Sequence, residues 1–246
     1  MLIPYYEDKF AKIYLGNSTE LITQIEEKID LVVTDPPYEL SESSQKTSSK
    51  GPSEKSVFKS LGKFYSEDFG AIISGFDVKD IFDSIGKITP IMNMFCFCSS
   101  QQITKIMGYG EANKYSTNLL VWHKTNAIPF AAGTWRGDIE YCVHIRESGA
   151  VFQGNAQLKK KVTDLPLVAN QLHPTQKPLA LIRKYITIGS NTGQLVFDPF
   201  NGSGTTLVAA KLLGRKGIGI EMEEKYCEIA ANRLRETVQE TVDWIE

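Results

Sequence analysis

Short apolar runs alternate with segments of helical periodicity along the whole chain, and this alternation is what most constrains the fold. Such a pattern is typical of an α/β protein with a mainly parallel sheet. It predicts seven strands: Lys12 to Leu15, Asp30 to Thr34, Ile91 to Cys98, Asn118 to His123, Glu140 to Ile145, Gln194 to Phe197 and Lys216 to Ile220. It predicts helices at Ser18 to Lys28, Ser66 to Ile88, Gln101 to Ala112, Leu179 to Ile188, Thr205 to Leu213 and Glu223 to Val242.

Two stretches interrupt the alternation. Ser41 to Ser60 is loaded with Ser and Lys and predicts a flexible loop, whereas Gly149 to Leu172 has no clear period and predicts a small insertion or hairpin. The 246 residues can bury one full core, so we expect residues 1–246 to form a single domain.

The composition, with 42% hydrophobic and 23% charged residues, is that of a folded protein. No apolar run reaches the roughly 20 residues that cross a bilayer, and the first residues do not resemble a leader, so we expect a cytoplasmic protein. The cysteines predict reduced core thiols, and the dispersed histidines predict no metal site. They are Cys96, Cys98, Cys142 and Cys227, and His123, His144 and His173.

The formal net charge of −2 provides no overall electrostatic footprint for nucleic acid. Phosphate contacts nevertheless need only a local positive face. Lys46 to Lys59 and the run Lys159, Lys160 and Lys161 are the two segments that can supply one, and either is equally compatible with an ordinary solvated surface.

A glycine-rich turn follows the predicted strand Gln194 to Phe197. The turn is Asp198-Pro199-Phe200-Asn201-Gly202-Ser203-Gly204, and Thr205 opens the next helix. Small residues let the backbone approach a ligand, and free N–H groups at a helix start can meet its polar end. The next strand delivers Glu221, near the offset of about 20 residues at which an acid binds ribose hydroxyls in nucleotide folds.

The type of cofactor can be narrowed from the same turn. Leu207 occupies the third glycine position of the dinucleotide fingerprint, which disfavours a nicotinamide cofactor. A phosphate-binding loop ending in Gly-Lys-Ser/Thr is absent from the sequence, which disfavours nucleotide hydrolysis. A nucleoside ligand without phosphates fits better, and S-adenosyl-L-methionine is one.

A second segment, Asp35-Pro36-Pro37-Tyr38, follows the apolar strand that ends at Thr34. This places it where open α/β sheets bind ligands. The two prolines fix two φ angles and remove two donors, leaving rigid carbonyl acceptors. The Asp35 carboxylate and the Pro36 carbonyl can accept both N–H bonds of an aromatic amine and direct its lone pair, while Tyr38 can stack on an extruded base.

On these residues the chain resembles the amino-directed DNA methyltransferases in the permuted β-group order, in which the catalytic segment precedes the cofactor segment. The resemblance covers the chain from about residue 12 to residue 235. It implies a Rossmann-like seven-stranded sheet with helices on both faces, S-adenosyl-L-methionine as cofactor, and DNA with a flipped target base as substrate. It also implies a monomer or homodimer and allows a cognate restriction nuclease as partner.

The same resemblance implies several further contacts. His173-Pro174-Thr175-Gln176-Lys177-Pro178 resembles the motif that holds the methionine end of the cofactor, which assigns Thr175 and Lys177 to cofactor binding. Trp122 to Asn126, with Pro129, resembles an element near the target base, which assigns Lys124 to DNA. Asn17 replaces the usual Asp of a Gly-Asp pair that contacts the adenine of the cofactor. Residues 146–172 correspond to a short target-recognition insertion.

The substrate has alternatives. Asp rather than Ser at the first catalytic position favours N6 of adenine over N4 of cytosine within the resembling family. The low net charge also leaves open an RNA or small-molecule amine methyltransferase. From another class, a catalytically silent nucleic-acid-binding module would share the cofactor pocket, although an intact Asp35 and Tyr38 argue against it.

Overall fold

A computed structural model describes residues 2–38, 77–127, 135–169, 171–172 and 175–238. Its centre is a nine-stranded mixed sheet with the order β1-β2-β9-β8-β3-β4-β6-β5-β7. The strands are β1 Tyr6–Glu7, β2 Ala11–Leu15, β3 Leu31–Thr34, β4 Asn93–Cys98, β5 Ser116–Lys124, β6 Ile139–Arg146, β7 Val162–Leu165, β8 Leu195–Asp198 and β9 Lys216–Glu221.

Seven of these strands run in the same direction. Only β1, at one edge, and β6, between β4 and β5, are antiparallel to their neighbours among the described strands. The carboxyl ends of the seven parallel strands therefore meet at one edge of the sheet, together with the amino end of β6. We call this edge the carboxyl edge; it is where doubly wound sheets bind ligands.

Helices cover both faces of the sheet. Within the described residues they are α1 Ser18–Leu21, extended by the 3-10 turn Ile22–Gln24, then α2 Val78–Ile88, α3 Ile103–Ala112, α4 Leu179–Gly189, α5 Thr205–Leu212 and α6 Glu224–Glu236. The 3-10 turn, α2 and α3 pack on the face that carries Val32 and Met94. On the opposite face, α4 and α5 pack against Leu31 and Val33, and α6 packs against α5 and β2. Alternate residues of β3 thus enter different cores, as the two-residue period of a strand requires.

The predicted α/β sheet with helices on both faces is confirmed, and so are all seven predicted strands. The two additional strands lie at the outer edges of the sheet. β1 has only two residues. β7 arises within the predicted insertion, but it pairs in parallel with β5 rather than forming a hairpin. Its residues VTDL are exposed or half-buried, so they lack the apolar run that marks a central strand.

Several helix boundaries differ from the prediction. The first helix ends at Leu21, and Ile22 and Ile25 enter the core through the 3-10 turn instead. For the second, the described helix begins at Val78, where the Asp77 side chain accepts the backbone N–H of Asp80 at 3.0 Å; the predicted residues 66–76 lie outside the described residues. The last ends at Glu236, before the 81% exposed Val238. The predicted loop at Ser41 to Ser60 lies outside the described residues.

All four cysteines are buried, with no disulfide among them. Within the described ranges, no helix has the length and apolar character needed to span a membrane. The same ranges contain no cluster of His, Cys, Asp and Glu side chains suited to a metal ion.

Candidate active site

A cleft opens at the carboxyl edge between β3 and β8, and it is continuous with the solvent. Its lining combines the end of β3, the turn after β8, the start of α5 and the segment before α4. The polar lining residues are Thr34, Asp35, Thr175, Gln176, Lys177, Asp198, Asn201, Ser203, Thr205 and Thr206. The two segments predicted to form the site therefore share one cleft.

The glycine turn is held tightly by its surroundings. Gly204 has a φ of +78°, and a Cβ atom there would lie 2.7 Å from Cβ of Ala230 in α6. Only glycine fits such a position. Asp198 is buried and accepts hydrogen bonds from Thr34 Oγ1 at 2.9 Å and from the Phe200 N–H at 3.1 Å. Burial raises the pKa of Asp198 to about 7.

Pro199 and Phe200 connect this turn to the first helix. The Pro199 carbonyl accepts the Ser18 hydroxyl, and the Phe200 ring packs against the core on that face. Neighbouring Asn17 caps α1, with its side-chain oxygen accepting the Thr19 N–H at 3.0 Å. The backbone of Gly16 donates to the Glu221 carbonyl at 2.9 Å, so the Gly16-Asn17 corner lies beside the acidic strand end.

Glu221 ends β9 directly beside the glycine turn. Its Oε2 accepts the Gly202 N–H at 2.7 Å, and its Oε1 accepts the Glu223 N–H at 2.9 Å. Burial raises the pKa of Glu221, and the backbone N–H groups oppose that rise. A carboxylate oxygen has two acceptor sites, so each Glu221 oxygen keeps capacity for a further donor such as a ribose hydroxyl.

The segment Asp35 to Tyr38 lies across the cleft from the turn. Oδ2 of Asp35 accepts a hydrogen bond from the Lys177 ammonium, whereas the buried Oδ1 has no hydrogen-bond partner in the part of the chain that the structure describes. The Pro37 carbonyl accepts from Nε2 of the buried Gln102 at 3.0 Å, which fixes the path of the chain after Pro36. Burial raises the pKa of Asp35, and the charge of Lys177 opposes that rise.

Lys177 and Glu140 form a buried charge network with Asp35. Nζ of Lys177, 4% exposed, lies 3.1 Å from Oε2 of Glu140 as well as contacting Asp35. Oε1 of Glu140 pairs with Lys124 at 2.9 Å, and Oε2 also accepts the Tyr38 hydroxyl at 3.3 Å. Burial favours the neutral amine, but Asp35 and Glu140 outweigh it and raise the pKa of Lys177.

The structure brings most of the predicted cofactor residues together, with Thr175 and Lys177 on the cleft wall. Lys124, predicted to contact DNA, is only 14% exposed and is paired with Glu140. His173, Pro174 and Pro129 lie outside the described residues. Glu140 and Gln102 were not predicted from the sequence. Glu140 could have been noticed, because it is an acid near the start of an otherwise largely apolar strand.

The run Lys159, Lys160 and Lys161 lies away from this cleft, at the amino end of β7. The Lys161 carbonyl accepts the Val121 N–H at 2.9 Å, and the Lys160 carbonyl accepts from Lys184 Nζ at 2.7 Å. The ammonium of Lys159 lies 4.7 Å from the centre of the Phe152 ring. At about 3.3 Å per strand residue, Lys161 stands roughly 13 Å back from the carboxyl edge that Leu165 reaches.

A doubly wound sheet with a cleft at its carboxyl edge, a glycine turn and an acid on the next strand defines an α/β protein that binds a nucleoside-type cofactor. A family model of N6/N4 methyltransferases, described as DNA methylase, matches residues 29–232. The chain belongs to this family and is a site-specific, S-adenosyl-L-methionine-dependent DNA methyltransferase.

Similar proteins extend over nearly the whole chain. The Type II methyltransferase M2.MboI of Moraxella bovis is 29% identical, with 95% of this chain and 91% of that protein aligned. The Type II methyltransferase M.HinfI of Haemophilus influenzae is 31% identical, with 93% of this chain and 69% of that protein aligned. The crystal structure of an M1.HpyAVI-SAM complex matches with a TM-score of 0.69 and 27% identity, covering 91% of this chain and 98% of that one.

The polar groups of the cleft fit S-adenosyl-L-methionine. Three buried polar atoms around it, Oδ1 of Asp35 and both amide atoms of Asn201, have no hydrogen-bond partner among the described residues. Buried polar atoms are normally satisfied, so such orphaned atoms indicate a ligand with complementary groups. An amino acid end and ribose hydroxyls supply both donors and acceptors.

Proposed function

We propose that this enzyme transfers the methyl group to N6 of adenine, taken out of the duplex, with Asp35, Pro36, Pro37 and Tyr38 as the catalytic segment. The observation that carries this proposal is the buried Oδ1 of Asp35: Asp35 lines the cofactor cleft, and this oxygen has no hydrogen-bond partner among the described residues. Within the family, Asp at this position favours adenine over cytosine. The Type II names of the relatives support a cognate restriction nuclease as the partner system.

The proposed chemistry relies on position and electrostatics. An aromatic amine is a weak nucleophile because its lone pair is delocalised into the ring. Oδ1 of Asp35 and the Pro36 carbonyl accept its two N–H bonds, which favours a tetrahedral nitrogen with its lone pair directed into the cleft. Tyr38 stacks on the extruded base. When bound, S-adenosyl-L-methionine supplies an electrophilic methyl group and leaves as a neutral thioether; the amine loses its proton after transfer.

The cofactor would be held by both segments of the site. Glu221 would accept the ribose hydroxyls, while Gly202, Ser203 and Gly204 allow close approach of the backbone and Thr205 starts the helix beneath. Asp198, Asn201 and Thr175 lie along the same cleft and would contact the polar end of the ligand. Asn17 would contact the cofactor's adenine from the corner beside Glu221.

The decisive test is transfer of labelled methyl to unmethylated genomic DNA, followed by single-molecule sequencing that reads the modified base and its context. We expect N6-methyladenine in one short sequence context. N4-methylcytosine would overturn the choice of base. Transfer to RNA with none to DNA would overturn the substrate proposal, and cofactor binding without any transfer would support a binding module instead.

Replacing Glu221 with alanine should chiefly weaken cofactor binding. Hydrogen bonds to a charged group contribute about 1.5–3 kcal/mol, so we expect the Kd for S-adenosyl-L-methionine to rise by about 10- to 100-fold. Isothermal titration measures this Kd directly. The exposed Glu224, three residues further on, provides a matched control as Glu224→Ala. An unchanged Kd in Glu221→Ala would remove Glu221 from the cofactor site.

We further propose that residues 146–172 contribute to target recognition and that Lys159, Lys160 and Lys161 contact phosphates flanking the target. Replacing all three with alanine should reduce DNA affinity and lower the slope of log K against log salt by about 0.9 for each phosphate that is no longer neutralised. A matched control replaces the exposed Lys28, Lys87 and Lys216. If both triple variants keep the wild-type slope, the lysine run does not bind DNA.

A further inference from the structure

Glu140 is a half-buried acid that the described chemistry does not use directly. It lies at the carboxyl edge because β6 runs antiparallel to β4 and β5, so the second residue of this strand meets the carboxyl ends of its neighbours. Its carboxylate accepts three hydrogen bonds, from Lys124, Lys177 and the Tyr38 hydroxyl. Removing a carboxylate from water is costly unless donors compensate for the lost hydration. The three donors therefore hold the Glu140 carboxylate in a fixed position.

The charges around Glu140 alternate. Lys124, Glu140, Lys177 and Asp35 form a continuous row of two cations and two anions. Burial alone would raise the pKa of Glu140, but the two lysines outweigh it and lower that pKa, so Glu140 remains an acceptor. Burial, with Asp35 and Glu140 close by, raises the pKa of Tyr38 well above its ordinary value, so its hydroxyl remains a donor.

We propose that Glu140 is a positioning residue for methyl transfer: it anchors the Tyr38 hydroxyl and the Lys177 ammonium together, and so fixes both the stacking ring and the free oxygen of Asp35. The proposal rests on the roles proposed above for Asp35 and Tyr38. Glu140 is not among the residues that line the cofactor cleft, so its effect is exerted through its neighbours.

The geometry of Lys177 explains how one oxygen of Asp35 stays open. An ammonium group has three donors. Lys177 directs its contacts to Oδ2 of Asp35, to Glu140 at 3.1 Å and to the Thr175 carbonyl at 3.2 Å. With all three donors engaged, Lys177 is held on Oδ2 and does not turn onto Oδ1. Without Glu140 one donor is released, and Oδ1 becomes an available acceptor for it.

Tyr38 is fixed by the same carboxylate. Its ring lies 5.3 Å from the Lys177 ammonium, and its hydroxyl donates to Glu140 at 3.3 Å. A ring held at both its face and its hydroxyl loses rotational freedom before the base arrives, which lowers the entropic cost of stacking. Glu140 therefore orders the two groups that meet the target base.

The test is Glu140→Gln, which keeps the shape of the side chain and removes its charge. We expect kcat to fall by about 10- to 100-fold, as small misplacements at reacting groups do, with the Kd for S-adenosyl-L-methionine within about twofold of wild type. In a double-mutant cycle that pairs Glu140→Ala with Tyr38→Phe, the second substitution should cost much less than it does alone, because both remove the same anchor.

The pH profile of kcat/KM is a second test of the proposal, because a residue with a purely structural role would leave that profile unchanged. The groups facing Asp35 are Lys177, Glu140, Tyr38, Asp198 and the buried thiols Cys96, Cys98 and Cys142. Burial raises the pKa of all three thiols, so they stay neutral. The negative charge of Glu140 raises the pKa of Asp35. Replacing Glu140 with the neutral glutamine should lower the pKa of Asp35. We therefore expect the acid limb of kcat/KM in Glu140→Gln to move to lower pH.

Glu147→Gln, just beyond the far end of β6, is the matched control because its carboxylate accepts only the Met92 N–H among the hydrogen bonds resolved for it. Wild-type kcat and pH profile in Glu140→Gln would overturn the proposal, and so would full additivity of Glu140→Ala with Tyr38→Phe. If Glu140→Gln does not fold, Tyr38→Phe is the deciding variant. A wild-type kcat in Tyr38→Phe would show that the hydrogen bond between Tyr38 and Glu140 does not contribute to methyl transfer. Turnover near the wild-type rate in Asp35→Ala, by contrast, would overturn the catalytic role proposed for Asp35, on which this inference rests.

Discussion

Replacing Asp35 with alanine is expected to reduce methyl transfer at saturating DNA and cofactor by about 1,000-fold, the upper range for losing one preorganised electrostatic contact at a reacting group. The variant loses the Oδ1 acceptor that the target amine requires, and it leaves the Lys177 ammonium facing Glu140 alone. The loss should appear in kcat, because the contact to a developing positive nitrogen is strongest in the transition state.

Single-turnover transfer of labelled methyl measures this step separately from product release. Asp35→Asn separates shape from charge, since it keeps an acceptor oxygen and loses the ion pair with Lys177; we expect it to retain more activity than alanine and less than wild type. Asp80→Ala is a matched control, because Asp80 is exposed on α2. Turnover near the wild-type rate in Asp35→Ala would refute the mechanism, provided that the protein binds cofactor.

The fold was largely predictable because its signals are local. Each predicted strand is a contiguous run, and strands such as β3 and β4 are buried along their entire length, which leaves an apolar pattern readable without neighbours. β7 carries no such pattern. It exists because the N–H groups of Val121 and Thr125 donate to the carbonyls of Lys161 and Leu165, and because the Trp122 indole donates to the Leu165 carbonyl at 2.9 Å. Those partners are specified only by the tertiary structure.

The candidate site, like the fold, was predictable only in part. Asp35 to Tyr38, the glycine turn and Glu221 each follow a strand, so topology alone predicts that they meet at one edge. Glu140 was not predictable by that rule, because β6 is antiparallel and presents its amino end there. Its hydrogen bond to Tyr38 spans 102 positions in the sequence, and that between Lys177 and Asp35 spans 142. No local pattern encodes which charges will be neighbours across such separations.

Lys177 is where the stability of the fold and the chemistry of the site depend on the same charge. Replacing it with methionine is expected to destabilise the protein by about 3–5 kcal/mol at pH 8, the cost of removing one partner from a buried ion pair. That is a large share of the total of about 5–15 kcal/mol for a typical domain. The reason is that Asp35 and Glu140 would then face one another without the cation between them.

The sign of the pH dependence follows from that arrangement. Lys177 lowers the pKa of Asp35, so its removal raises that pKa further above the unfolded value of about 3.9. A carboxyl whose pKa is raised on folding stabilises the protein below the unfolded pKa and loses that contribution as pH rises. The difference in unfolding free energy between wild type and Lys177→Met should therefore be small near pH 4 and grow towards pH 8, as measured by urea denaturation.

Activity should respond in the same direction. Transfer requires the Asp35 carboxylate, so a higher pKa moves the acid limb of kcat/KM in Lys177→Met to higher pH, opposite to the shift expected for Glu140→Gln. Lys184→Met is the control, since Lys184 is partly buried but donates to the neutral Lys160 carbonyl and Thr163 hydroxyl. A stability difference that stays constant between pH 4 and pH 8, or an acid limb that does not move, would mean that Lys177 does not set the charge of Asp35. Opposite shifts in the two variants are the result expected when both side chains act on the Asp35 carboxylate.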